Sequence, residues 1–397
     1  MLHALETYSK WMQHFTSPPI KWCPIKSKFL FSICPLQNFL WYFHTFVGLG
    51  FCTAGGVVVI LLSQIFQFYP PVPLAYLFIF GIELATSGAA FAVNLGMILY
   101  GRECVMGWNA LLEMQTNLQR RGRCHRLSTN PVWRILTVFV WAFTTYPFVV
   151  SVAGIVFTLD PFYYILSMFN ITNPLLRIFR FYLIFAISAE MFRFLALIIL
   201  FCTSSLIMLR DTLVLLTKET STSYAAIMGR MQCTRVKSGY RQAQIITLSM
   251  EELLGYNCLF GHGLALVNSI LFNFVSLKFY ATLPIWFYVI FPSIAVIILI
   301  TIHVMMPCLH SLLDNSKKLL ETLYIFTACQ CNRGRKGMIK ELRSLKKITM
   351  SPMLAQHKFF IYTRSTKVTF LVILVTHTIN LLLAVPRRVI QTAAHLF

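Results

Sequence analysis

A chain of 397 residues that is 57% hydrophobic and 12% charged, with mean hydropathy +0.69, excludes a soluble domain, whose surface at this composition would aggregate. The net charge of +21 would suggest nucleic acid in a soluble protein. Here the basic residues stand beside the ends of long apolar stretches, where anionic lipid headgroups meet them, so membrane lipids rather than nucleic acid are the expected partner.

Residues 1–39 are expected to form a cytosolic N-terminal segment, of which Met1 to Lys28 has no apolar core of signal-peptide length and carries Ser17, Pro18, Pro19 and Pro24 as breakers. The first apolar stretch is therefore expected to direct insertion itself. Seven stretches are long enough to span a bilayer at about 20 residues each: Leu40–Phe66, Leu74–Tyr100, Val132–Thr158, Phe181–Met208, Leu253–Val275, Pro284–Met306 and Val368–Val385. The predicted fold is all-α and polytopic. Spans one to six with their inward helical extensions fill residues 40–308, a basic amphipathic linker fills 309–365, and the seventh span with a short tail fills 366–397.

Orientation follows from Lys and Arg. Of the 34, 27 lie before the first stretch or in the second, fourth and sixth gaps, and 5 lie in the opposite gaps and the tail (Arg177, Arg180, Lys278, Arg387, Arg388). Basic loops stay in the cytosol, so the N-terminus is expected inside and the C-terminus outside. That is the reverse of the G-protein-coupled arrangement. The first outside loop is the Pro70, Pro71, Pro73 turn, and the third gap carries the sequon Asn170-Ile171-Thr172, an expected glycosylation site at Asn170. The 11 cysteines avoid the outside gaps, so a disulfide-stapled outer face is not expected, and the Cys329-Gln330-Cys331 pair lacks the second pair a zinc site needs.

The inward segments read as helical. The fourth span continues through Asp211–Leu216, is expected to break at Thr220–Ser223, and resumes from Tyr240 into the fifth span. Leu312, Leu313, Leu319, Leu320 and Leu323 share a helical face, as do Ile339, Leu342, Leu345 and Ile348, between which lie Lys340, Arg343, Lys346 and Lys347. Such stripes need burial, so a packed inner layer is expected.

Charges within spans are the sharpest local signal, because each is costly in hydrocarbon. Glu83, Glu190 and Arg193 fall at similar depth, and spacing of three lets Glu190 and Arg193 pair. Two readings stand: a buried ionic lock between helices, or a polar patch in an outward-facing ligand cavity with Thr86, Ser87, Tyr146 and His262, its aromatic-rich walls suited to a small organic ligand. The seventh span carries Thr369, Thr376 and Asn380 on one face with Ile373 and Leu383, a stripe suited either to helix packing or to a water-filled path. No Gly-rich phosphate loop or metal-ligand motif is present, so neither an enzyme nor a cofactor is expected; His303 and His310 lack a third ligand.

In its layout the chain resembles the arthropod chemoreceptor superfamily of gustatory and odorant receptors. The local match runs from Arg343 through Pro386, with Arg364-Ser365-Thr366-Lys367-Val368-Thr369-Phe370 and then Thr376-His377-Thr378-Ile379-Asn380. Thr376 stands where that family's seventh-span motif has Thr; His377 replaces its Tyr, and no Gln-Phe follows, as in a divergent member. The resemblance implies a plasma-membrane chemosensory receptor of the gustatory type: a tetrameric, ligand-gated, nonselective cation channel with the seventh helices around the pore. With it, Thr369, Ile373, Thr376, Asn380 and Leu383 become expected pore residues. The alternative is a multi-pass transporter or a non-conducting membrane protein.

Overall fold

The computed structural model describes residues 2–13, 16–67, 72, 74–121, 132–158, 160–168, 174–224, 230–280, 283, 285–329, 335–354 and 356–385. Asn170, the Pro70, Pro71, Pro73 turn and the tail beyond Val385 lie outside the described residues, as does Cys331. Among the described residues, seven helices are long and apolar enough to cross a membrane. The protein is a multi-pass membrane protein.

The N-terminal segment is more ordered than its prolines suggest. Helix α1 (Leu2–Met12) buries Leu5, Tyr8 and Met12, an i, i+3, i+7 stripe. Strands β1 (Ile20–Cys23) and β2 (Lys28–Phe31) then pair antiparallel, with Pro24 to Ser27 as the turn and Ser27 at φ 47°. This hairpin, absent from the all-α expectation, is pinned by Trp22 and Phe29, whose rings meet Trp108 edge-on at 5.6 and 4.7 Å. Asn109 closes its open edge, accepting from the Phe29 N–H at 3.1 Å and donating to the Phe29 carbonyl at 2.9 Å.

The first spanning helix comprises α2 (Phe39–Tyr42), a wider π-helical stretch (Phe43–Gly55) and α3 (Gly56–Ile65). Then come α4 (Leu74–Arg121), α5 (Val132–Val156), the short α6 (Pro161–Met168), α7 (Pro174–Tyr224), α8 (Arg230–Lys278), a turn α9 (Ile285–Tyr288) and α10 (Ile290–Cys329). Helix α11 (Arg335–Ser344), a two-residue hairpin of β3 (Met353–Leu354) and β4 (His357–Lys358), and α12 (Arg364–Ala384) complete the chain.

Helices α4, α7, α8 and α10 far exceed a membrane thickness and continue past it on one side as a packed helical layer. Helix α7 does not break at the Thr220–Ser223 run but continues to Tyr224. The hydroxyls of Thr217 and Thr220 donate to the carbonyls of Leu213 and Leu216 at 2.8 Å, so these polar side chains satisfy themselves within the helix. The leucine stripe of α10 buries Leu312, Leu319 and Leu323 completely, and α11 lays Leu342 on the same core while Lys340 and Arg343 stay exposed. Tyr240 ties the layer together: its hydroxyl bonds with Ser316 Oγ at 2.8 Å and donates to the Lys346 carbonyl at 2.9 Å.

Helices α4 and α8 cross closely at two glycines. A Cβ on Gly96 would stand 2.8 Å from the Tyr256 ring, and one on Gly107 would stand 2.5 Å from Ser249 Oγ and Met250 Cγ. Helix α7 is the central spanning helix, with 83% of its most apolar window buried, whereas α12 has 17% and lies on the periphery.

Candidate cavity between the spanning helices

A cavity of about 290 Å³ lies between α4, α5, α7, α8 and α10. Its walls are chiefly apolar: Ile79 and Ile82 from α4, Phe143 from α5, Ile187, Met191 and Phe192 from α7, Phe272 from α8, and Phe291 and Ile298 from α10. On α8 the lining follows one helical stripe, Asn257, Gly261, Ala265, Asn268 and Phe272, at spacings of three and four. That stripe of small and polar residues was a legible signal which the sequence reading passed over.

One end of the cavity lies at α6. Asp160 caps that helix, accepting the Tyr163 N–H at 2.8 Å, with Pro161 in the first helical position, where a missing N–H costs nothing. The Asp160 carboxylate also receives both the Nε of Arg180, at 3.3 Å, and its Nη2, and the guanidinium lies 5.1 Å from the centre of the Tyr163 ring. This buried ion pair fixes α6 against α7. Sequence analysis had counted Arg180 as a loop charge and had assigned no site role to Asp160.

Of the expected ligand-site residues, Glu83, Thr86 and His262 line the cavity. Thr86 donates to the Ile82 carbonyl at 2.7 Å and accepts from Asn268 Nδ2 at 2.9 Å. Glu83, one turn away on the same face of α4, has no hydrogen bond or ion pair among the described residues. His262 Nδ1 lies 2.8 Å from its own helix's Cys258 carbonyl and 3.0 Å from the hydroxyl of Tyr362, a buried residue two positions before α12.

Glu190, Arg193 and Tyr146 are not on the walls. At about 100° per residue, Glu190 and Arg193 project from the side of α7 opposite the cavity-facing Ile184, Met191, Leu195 and Ile198. They pair with each other, Arg193 Nε donating at 3.1 Å to Glu190 Oε2, which Nη2 also meets. The other carboxylate oxygen accepts from the Thr16 hydroxyl and lies 3.7 Å from His44 Nδ1. This cluster joins the segment after α1, the first spanning helix and α7. The expected similar depth does not hold: Glu190 lies level with His44, near where Phe46 meets Phe91 at 5.6 Å, whereas Glu83 is about two helical turns from Phe91, toward the Asp160–Arg180 end of the cavity. Tyr146 stands behind the wall, its hydroxyl donating to Ser293 Oγ at 3.0 Å and its ring against Phe192 at 5.6 Å. Ser87 is buried against its own helix.

Helix α12 buries Phe370, Leu374 and Thr378 against the rest of the chain. Thr369, Thr376, Asn380 and Leu383 are exposed and Ile373 is half-buried, so the expected pore face turns away from the chain's own body. Val372, at the margin of that face, is exposed as well. The start of α12 is held by polar contacts to α10: Lys367 Nζ lies 2.9 Å from His303 Nδ1, and Arg364 donates to Asp314 at 3.0 Å.

No protein-family model matches the sequence, and no curated protein matches it. Among solved structures, the chain is similar to the insect olfactory receptor OR5 from Machilis hrabei, determined in complex with eugenol, with a TM-score of 0.65 over 96% of this chain and 98% of that one. Sequence identity is 10%, so the likeness is one of architecture: this chain has the seven-helix membrane fold of an insect olfactory receptor.

Proposed function

We propose that the protein is a chemosensory receptor of the gustatory or odorant type, acting as a ligand-gated, nonselective cation channel, with its ligand in the cavity and its pore along α12. The observation that carries this reading is the double engagement of α8. One face of α8 lines the cavity, and the same helix packs against α12, where His262 meets Tyr362 just before the exposed polar stripe begins. A ligand that shifts α8 therefore acts on the pore helix through direct contact, as coupling between two sites requires. The shared fold with an olfactory receptor solved with a small organic ligand supports the same class.

In this reading the subunits form a tetramer, alone or with a related chain, in the plasma membrane. The basic helical layer faces the cytosol and the C-terminus lies outside, in keeping with the partition of Lys and Arg. Thr369, Thr376 and Asn380 from four copies set hydroxyl and amide rings along the path. Apolar rings from Ile373 and Leu383 close it by dewetting. Four subunits would also cover the apolar surface that α12 leaves exposed at Val368, Leu371 and Val375.

Whole-cell recording of the expressed chain with Thr376→Cys or Asn380→Cys tests the path. Thiol reagents applied during activation are expected to reduce current in both variants and to leave Leu374→Cys, whose side chain is buried, unchanged from wild type. Current indifferent to modification at both positions moves the pore off α12. Absence of any current from surface-expressed protein, alone or with a related chain, favours the transporter or non-conducting alternative.

A further inference from the structure

The polar groups around the cavity are unevenly matched. Thr86 spends its hydroxyl hydrogen on Ile82, so it can only accept from Asn268, which fixes the Asn268 amide with Nδ2 toward Thr86. Asn268 Oδ1 is then left buried with no donor among the described residues. Asn257 repeats the pattern: Nδ2 faces Cys202 Sγ at 3.9 Å, and Oδ1 has no donor among the described residues. Glu83 adds a carboxyl group with neither hydrogen bond nor ion pair among the described residues, and Asp160 is close enough to act on it electrostatically.

The hydroxyl donors on the described walls are already committed. The hydroxyls of Ser188 and Thr301 bond carbonyls of their own helices at 2.6 and 2.8 Å, and Thr53 bonds Gly48 at 3.0 Å. Arg180 is spent on Asp160, and His262 is engaged by Cys258 and Tyr362. The cavity thus presents acceptors and one carboxyl group with no counter-ion among the described residues, within apolar walls; an amine base entering it takes up that carboxyl's proton and is held as an ammonium–carboxylate pair. A carboxylate in such surroundings is stabilised by a paired cation, and an ammonium brings three donors and no acceptor.

We propose that this cavity takes small organic amines, the protonated nitrogen bound at Glu83 and the hydrocarbon body laid along the Ile and Phe walls. Neutral alcohols and phenols of the same shape offer one donor and no charge, and carboxylic acids bring a second acid group and no cation. The inference rests on the reading that this cavity is the ligand site.

Phenethylamine and phenethyl alcohol, matched in body and size, are the probes, applied to the full chain in recordings and in thermal-shift measurements on purified protein. Phenethylamine is expected to act at lower concentration than the alcohol. Glu83→Gln should raise the amine's half-maximal concentration at least about tenfold, the usual scale of a charge-assisted hydrogen bond, and leave the alcohol's within about twofold. Equal potency of the two probes, or an equal shift of both by Glu83→Gln, overturns the proposal. If neither evokes current, an amine-selective thermal shift abolished by Glu83→Gln sustains it while the channel reading falls; no amine-selective shift overturns it. Should Glu83→Gln fail to fold, Asn268→Leu carries the test: it is expected to weaken the amine more than the alcohol, and equal weakening overturns the proposal.

Discussion

Removing one half of the Glu190–Arg193 pair should destabilise the protein far more than removing both. Both side chains are almost fully buried, at 3% and 2% exposure, and Glu190 accepts from Arg193, from Thr16 and, at longer range, faces His44. At a separation near 4 Å and an effective dielectric of 20, the attraction is about 4 kcal/mol, comparable with the several kcal/mol that each ion loses on leaving water. The pair therefore contributes little net stability against a well-packed apolar replacement. Breaking it is different, because the remaining charge keeps its desolvation cost without its partner. Glu190→Leu strands Arg193, whose Nη1 already lacks a partner among the described residues, and should cost about 3–5 kcal/mol. Arg193→Met leaves the carboxylate its Thr16 hydroxyl and His44, and should cost about 3 kcal/mol, the lower end of that range. The double variant Glu190→Leu/Arg193→Met should return to within about 1 kcal/mol of wild type. Thermal midpoints of purified protein, with surface abundance as a second readout, measure the cycle. A double variant that melts at or below the worse single variant refutes the reasoning. A ligand dose–response altered in Arg193→Met at full stability shows instead that the pair belongs to the binding site.

At the α4–α8 crossing, Gly107→Ala should cost about 1–3 kcal/mol by overpacking against Ser249 and Met250, read as a lowered melting temperature. Gly81→Ala, where a Cβ meets nothing within 4 Å, should be neutral or stabilising by up to about 1 kcal/mol through helix propensity. In unpermeabilised cells, an epitope tag at the C-terminus is expected to be labelled and one at the N-terminus to be hidden; the converse labelling reverses the proposed orientation. Beside α11, Lys237 holds the Glu341 carboxyl below its usual range through a hydrogen bond and charge. A carboxyl lowered in the folded state stabilises at neutral pH and loses that contribution as pH falls through its folded value. Lys237→Met should therefore flatten the acid limb of the stability profile, and an unchanged acid limb counts against the bridge.

The amino-acid sequence by itself determined the membrane class, the seven spans, the amphipathic stripes beyond them and the Glu190–Arg193 pairing, because each depends on local quantities: apolar run length, helical period and spacing along one helix. It also marked Glu83, Thr86 and His262, since polar groups in apolar runs are conspicuous wherever they end up facing. Tertiary structure alone decided which way those groups turn. Glu190 and Glu83 both interrupt apolar runs, yet one faces the N-terminal segment and the other the cavity, because the helices that pack around α7 and α4 set both the azimuth and the relative height of each group. The same cause hid Asp160 and Asn268, whose roles arise from contacts with Arg180 and Thr86 on other helices. The N-terminal hairpin escaped for a related reason: Trp22 and Phe29 form no periodic pattern, and the strand pair is held by Trp108 and Asn109, some 80 residues further along the chain.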